Sequence, residues 1–176
     1  MADRGLTGVL LVGGASRRFG SPKALAVLDG ETLAARAWRV LGEACDERLA
    51  VGKTMDTLGL PFPVLDDGSE VRAPIAGVAA GVRAATHEVC VVLPVDCPSV
   101  TASALRALGE AVAVPQTGPL PGAYTKAMLG ELEARLASGR YDLRGVNPTV
   151  LELDEPLLAN VNTPADLDAL VVRRGD

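Results

Sequence analysis

The chain has 176 residues, of which 48% are hydrophobic, 22% charged and 3% aromatic, with a formal net charge of −5. That length suits one domain that buries ~70% of its unfolded surface, with a core built from Ala, Val and Leu, as in a sheet covered by helices. The acidic balance argues against broad binding to nucleic acid or an anionic membrane, and three cysteines without a C-x-x-C argue against a disulfide framework or a structural zinc site.

In chain order, Gly8 to Val12 is a continuous apolar run of the type expected for a buried strand. This run, preceded by Met1-Ala2-Asp3-Arg4-Gly5, is too short an apolar stretch for a signal peptide, and no run reaches the ~18 residues of a membrane span, so a soluble chain in a reducing cytoplasm is expected. Gly13 and Gly14 follow at once, where the absence of Cβ lets a ligand approach backbone N–H groups or lets the chain take positive φ. Arg17, Arg18 and Lys23 add fixed positive charge suited to phosphate oxygens. This is a phosphate-handling loop, although it fits neither G-x-x-x-x-G-K-[ST] nor G-x-G-x-x-G.

Asp29-Gly30 is a turn signal, and Leu33, Ala37, Val40, Leu41 and Ala44 recur at helical spacing. Arg48 to Val51 and Phe62 to Leu65 are two short strands, and Pro74 opens a helix through Val82. Val89 to Val95 is the strongest strand, apolar throughout, ending at Asp96-Cys97-Pro98. Thr101 or Ser103 caps a helix through Leu105 and Leu108, followed by a strand at Ala111 to Val114 and a loop from Gln116 to Gly122. Thr125 to Ser138 is a helix stopped at Gly139, and Val150 to Leu153 alternates like a half-exposed strand. Thr163-Pro164-Ala165-Asp166 starts the last helix. The order predicts one α/β domain over residues 1–176, a mostly parallel sheet with helices on both faces in a Rossmann-like three-layer arrangement.

Ligands of such sheets bind beyond the carboxyl ends of the strands, which singles out the glycine and cation loop, Asp67 and Asp96. Judged alone, both aspartates are turn residues. Beside a phosphate loop, Asp96 becomes a Mg²⁺ ligand, since Mg²⁺ is held by one or two carboxylates together with substrate phosphates. His87 has no ligand-spaced partner and is structural or at the surface, and Cys97 has no histidine placed to activate it.

The segment Leu11-Val12-Gly13-Gly14-Ala15-Ser16-Arg17-Arg18-Phe19-Gly20-Ser21-Pro22-Lys23 resembles the signature L-A-G-G-x-S-x-R-x-G-x-x-K of the molybdenum cofactor guanylyltransferases. Val64 to Asp67, Pro74 to Gly77, Leu93 to Pro98, Pro119 to Tyr124 and Asn160 to Pro164 agree with that family in order. The resemblance implies transfer of GMP from GTP to molybdopterin with release of pyrophosphate. It implies that Leu11, Val12, Gly13, Gly14 and Asp67 hold the nucleotide, and that Arg18 and Lys23 stabilise phosphate charge. Asp96 then carries Mg²⁺, and Asn160 and Asn162 lie by the molybdopterin or the metal. It further implies transient contact with other molybdenum cofactor biosynthesis proteins or acceptor enzymes.

The chain departs from that pattern in three places. Val51-Gly52-Lys53 stands where the family usually has an Asn that touches the nucleotide, Val12 replaces the commoner Ala, and the stretch from Leu108 to Tyr124 is short. Two rivals stay open. One is a cytidylyltransferase of the same cofactor, whose signature reads L-A-A-G; the other is a noncatalytic nucleotide-binding homologue.

Overall fold

The computed structural model describes residues 5–13, 19–53 and 59–174. Its central sheet has five strands in the order β5-β4-β1-β6-β8, where β1 is Leu6–Leu11, β4 Glu47–Gly52, β5 Val64–Asp66, β6 Val89–Pro94 and β8 Gly122–Thr125. The first four run parallel and β8 runs antiparallel to β6. β1 and β6 are almost wholly buried, because a strand flanked by strands and covered on both faces presents no solvent side.

Helices α1 (Leu33–Ala44) and α3 (Ala102–Ala111) cover one face; α2 (Pro74–Ala84) and α4 (Leu129–Ala137) cover the other. A final helix, α5 (Pro164–Arg174), adds Leu170 to the first face. α2 is buried along almost its whole length and lies close to the sheet because its small residues permit it. A Cβ on Gly81 would stand 2.5 Å from Val9 Cγ1, and one on Gly77 would stand 2.7 Å from Leu11 Cδ2. Beside the main sheet, the described residues form a hairpin of β2 (Val27–Leu28) and β3 (Glu31–Thr32), and a parallel pair of β7 (Val114–Pro115) and β9 (Val150–Leu151). Asp29 and Gly30 close the hairpin with φ of 53° and 80°, the positive values that a two-residue turn between twisted strands needs.

The predicted α/β architecture and its parallel sheet are found, with four local differences. Phe62 is not in a strand. It stacks on Trp38 of α1 with ring centroids 4.3 Å apart, while the Arg48 guanidinium lies 4.5 Å from the Trp38 ring centre. Ala111 closes α3 instead of opening a strand, and Val112 ends the helix in the left-handed region at φ 48°. The expected strand shrinks to Val114–Pro115 and pairs with β9, outside the main sheet. The place beside β6 belongs to β8, within what the sequence suggests is the edge of a loop and the start of a helix; α4 therefore begins only at Leu129. Among the described residues no helix is long and apolar enough to cross a membrane.

Candidate active site

Sheet order places the site. β1 connects outward to β4 and β5, and the chain then returns to β6 on the other side of β1. At such a switch point the loops diverge and leave a crevice beyond the strand ends. A cavity of about 440 Å³ occupies it, lined by residues following β1, β4, β5 and β6, by the start of α2 and by Leu120.

At one end, Lys23 Nζ lies 3.6 Å from Asp96 Oδ2 and donates to Asn162 Oδ1 at 3.3 Å. Asp96 is fixed through its backbone. The Val95 N–H continues the ladder to Leu11 O at 3.1 Å, and the Val161 N–H donates to Asp96 O at 2.8 Å. That second bond docks the C-terminal segment on the end of β6. Val161 is fully buried, and the two asparagines that flank it, Asn160 and Asn162, are brought to Cys97 and Lys23.

The asparagines are held individually. Asn160 Oδ1 accepts from Cys97 Sγ at 3.1 Å. Burial, then the neighbouring Asp96 charge, pushes the Cys97 thiol far up, so Cys97 is a protonated donor and not a nucleophile. The Asn162 N–H donates to Asp166 Oδ2 at 2.9 Å, as does that of Thr163, while Thr163 Oγ1 accepts from the Asp166 N–H at 3.2 Å. This is the reciprocal cap expected from Thr163-Pro164-Ala165-Asp166. It holds the Asp166 carboxyl below the usual range, chiefly through the Asn162 N–H.

At the other end, Lys53 Nζ donates to Asp67 Oδ1 at 2.6 Å and to Ser69 O. The Asp67 N–H donates to Gly52 O at 3.0 Å. Between the two ends, Leu11, Val12 and Gly13 form the floor with Gly52. Glycine at 52 follows from crowding, since a Cβ there would meet Val12 Cγ2 at 3.0 Å and Gly13 N at 3.3 Å. Gly13 does not use positive φ; it is exposed, with its backbone open to the cavity. Among the described residues of this loop, Gly20 takes a positive φ, at 70°.

The structure thus brings together Leu11, Val12, Gly13, Lys23, Asp67, Asp96 and Asn160 around one cavity, with Asn162 bonded to Lys23. Gly14, Arg17 and Arg18 lie outside the described residues. Lys53 is the site residue that sequence reasoning treats only as a departure from a pattern. It directly follows a strand, the same position that flags Asp67 and Asp96. His87 lies at the opposite, amino-terminal end of the sheet, with Nδ1 3.0 Å from Thr7 Oγ1 and 3.8 Å from Glu47 Oε2, in a structural role.

Among the described residues no group of three or more His, Cys, Asp or Glu side chains could hold a metal by itself. A partly exposed single carboxylate such as Asp96 instead fits an ion whose remaining ligands are phosphate oxygens and water.

Residues 8–161 match the MobA-like NTP transferase domain. The chain is 30% identical to a molybdenum cofactor guanylyltransferase of Desulfosudis oleivorans, covering 80% of this chain and 76% of that one. It is also 30% identical to one of Burkholderia ambifaria, covering 96% of each. Among solved structures, the molybdopterin-guanine dinucleotide biosynthesis protein A of Archaeoglobus fulgidus superposes with a TM-score of 0.80 at 22% identity, over 96% of this chain and 98% of that one. A Mycobacterium tuberculosis neighbour, Rv0371c, was solved as a manganese complex, with a TM-score of 0.64 at 20% identity, over 96% and 98% of the two chains.

Proposed function

Because this chain belongs to the MobA-like NTP transferase family, we propose that it transfers GMP from GTP to molybdopterin, releasing pyrophosphate and forming the guanine dinucleotide of the cofactor. The observation that carries this reading is the juxtaposition of Lys23, in the segment between β1 and β2, with Asp96, just after β6, in the same cavity as Asp67. Phosphate charge and a base can be held there together.

In the reaction, an oxygen of the molybdopterin terminal phosphate attacks the α-phosphorus of GTP, and the bond from that phosphorus to the bridging oxygen of pyrophosphate breaks. Such transfers need positioning and charge stabilisation, and no covalent nucleophile. Lys23 and Arg18 supply fixed positive charge to the transferring and leaving phosphates. Leu11 to Gly14 hold the nucleotide. Asp96 is the residue that would hold Mg²⁺, which when bound draws charge from phosphate oxygens. Asn160 and Asn162, fixed by Cys97 and by the cap of α5, face the acceptor side. On this reading residues 1–176 form one nucleotidyltransferase domain, its N-terminal part for nucleotide and its C-terminal part for molybdopterin. The reaction is cytoplasmic, and other molybdenum cofactor biosynthesis proteins or acceptor enzymes are its transient protein partners.

The test is pyrophosphate release by purified protein with Mg²⁺, molybdopterin and either GTP or CTP. Release with GTP in preference to CTP is expected. Preference for CTP would favour a cytidylyltransferase, and GTP binding without turnover a noncatalytic homologue.

A further inference from the structure

Lys53 stands where this chain leaves the family pattern, and its surroundings are specific. Its ammonium group joins the ends of two strands, donating to Asp67 Oδ1 and to Ser69 O. The Lys53 and Asp67 side chains are 16% and 7% exposed, and both residues line the cavity. The Ser69 N–H also donates to Asp67 Oδ1, at 2.9 Å. Two donors therefore engage that oxygen, whereas among the described residues no hydrogen bond reaches Oδ2. The carboxylate is clamped by one oxygen and offers the other to a ligand in the cavity.

Position says which part of a ligand that is. Asp67 follows β5 and Asp96 follows β6, three strand steps away, and each step is about 4.8 Å. With phosphates beside Lys23 and Asp96, the base of a nucleotide lies at the Lys53 and Asp67 end. A carboxylate oxygen accepts and never donates. Guanine offers it two adjacent donors, N1–H and the N2 amino group. Cytosine and adenine set a ring-nitrogen acceptor beside their amino group, which would face the carboxylate with a lone pair.

Building on the nucleotidyltransferase reading above, we propose that Lys53 is a positioning residue that fixes Asp67 as the acceptor for the N1–H and N2 edge of guanine, and so sets base choice. An Asn here could donate to the carboxylate but not neutralise it. Lysine does both, which an almost fully buried carboxylate requires.

The test compares the native chain with Lys53→Met, Lys53→Arg and the double variant Lys53→Met/Asp67→Asn. Titration calorimetry gives Kd for GTP and CTP, and pyrophosphate release gives kcat and KM for each. Lys53→Met is expected to weaken GTP binding by about tenfold or more, the worth of one charge-assisted hydrogen bond. The loss falls mainly in KM, CTP is affected less, and Lys53→Arg recovers most of it. Should Lys53→Met fail to fold, the neutral pair of the double variant shows the same collapse of the GTP-to-CTP ratio. An unchanged ratio in the folded variants, or equal losses for both nucleotides, overturns the proposal. A native chain with no preference for GTP overturns instead the guanylyl reading, and the native measurements alone decide that.

Discussion

At the scale of single residues, Asp96 carries the heaviest assignment and has little to do with stability. Its partner Lys23 is 3.6 Å away and both side chains are partly exposed, at 28% and 17%; such pairs contribute about 1 kcal/mol or less. Asp96→Asn should therefore fold with a melting temperature close to native while turnover falls on the order of a hundredfold or more, as when a transition-state charge loses its stabilising group. Differential scanning calorimetry and initial rates check the two halves of that statement. Native-like turnover would remove Asp96 from the metal site. Asp96 and Asp67 are legible in the sequence because each directly follows a strand. Their partners are harder to read. The Cys97 thiol facing Asn160 joins residues 63 positions apart, and the Lys53 bond to Asp67 depends on the register between β4 and β5, which no local pattern encodes.

At the scale of elements, the cap of α5 is linked to Lys23 through Asn162, on the side of the site proposed for the acceptor. Asp166 accepts from the N–H groups of Asn162 and Thr163, and Asn162 in turn accepts from Lys23. The folded-state carboxyl is held low, chiefly by the Asn162 N–H. Its contribution is therefore fully present above the ordinary aspartate range and is lost as pH falls through the lower folded value. Asp166→Asn should lower stability at neutral pH, as a weakened capping box does, and raise KM for molybdopterin more than KM for GTP. Chemical denaturation at neutral and acid pH checks the stability part: the difference between variant and native narrows on acidification. A gap that stays constant with pH would show that the carboxylate is not the stabilising group.

Thr32 and Thr101 cap α1 and α3 in the same way, accepting from Ala35 N and Ala104 N, and these helices have clear sequence signals. β8 has none. Gly122-Ala123-Tyr124-Thr125 has one β-branched residue and follows a Pro-rich loop, so it becomes a strand by tertiary context. It pairs with β6, and the buried Tyr124 hydroxyl donates to Pro119 O at 2.8 Å. The Asn147 amide bridges Val112 O and Ala123 O at 2.8 and 2.7 Å, closing the gap that the end of α3 leaves. Phe62 is missed for a related reason: its partner Trp38 is 24 positions away, and aromatic stacking outweighs the strand propensity of a residue next to proline.

At the scale of the molecule, the strands that frame the cavity are the most legible part. β1 and β6 are central and covered on both faces, so they appear as unbroken apolar runs, and the loops that follow them carry Lys23 and Asp96. The edges of the fold, β5, β8 and the β7-β9 pair, are short and depend on neighbours distant in sequence. The C-terminal segment is tied to the site by the Val161 bond to Asp96 O and by Asn160 and Asn162 on Cys97 and Lys23, contacts that join the nucleotide and acceptor sides of the proposed reaction.

Isotope transfer tests that central claim most directly. Purified protein is incubated with Mg²⁺, molybdopterin and GTP carrying ³²P at either the α or the γ position, and the products are separated. The α label should appear in a pterin dinucleotide and the γ label in pyrophosphate. An α label recovered only in GDP, with the γ label in inorganic phosphate, would mark a GTP hydrolase and contradict the account.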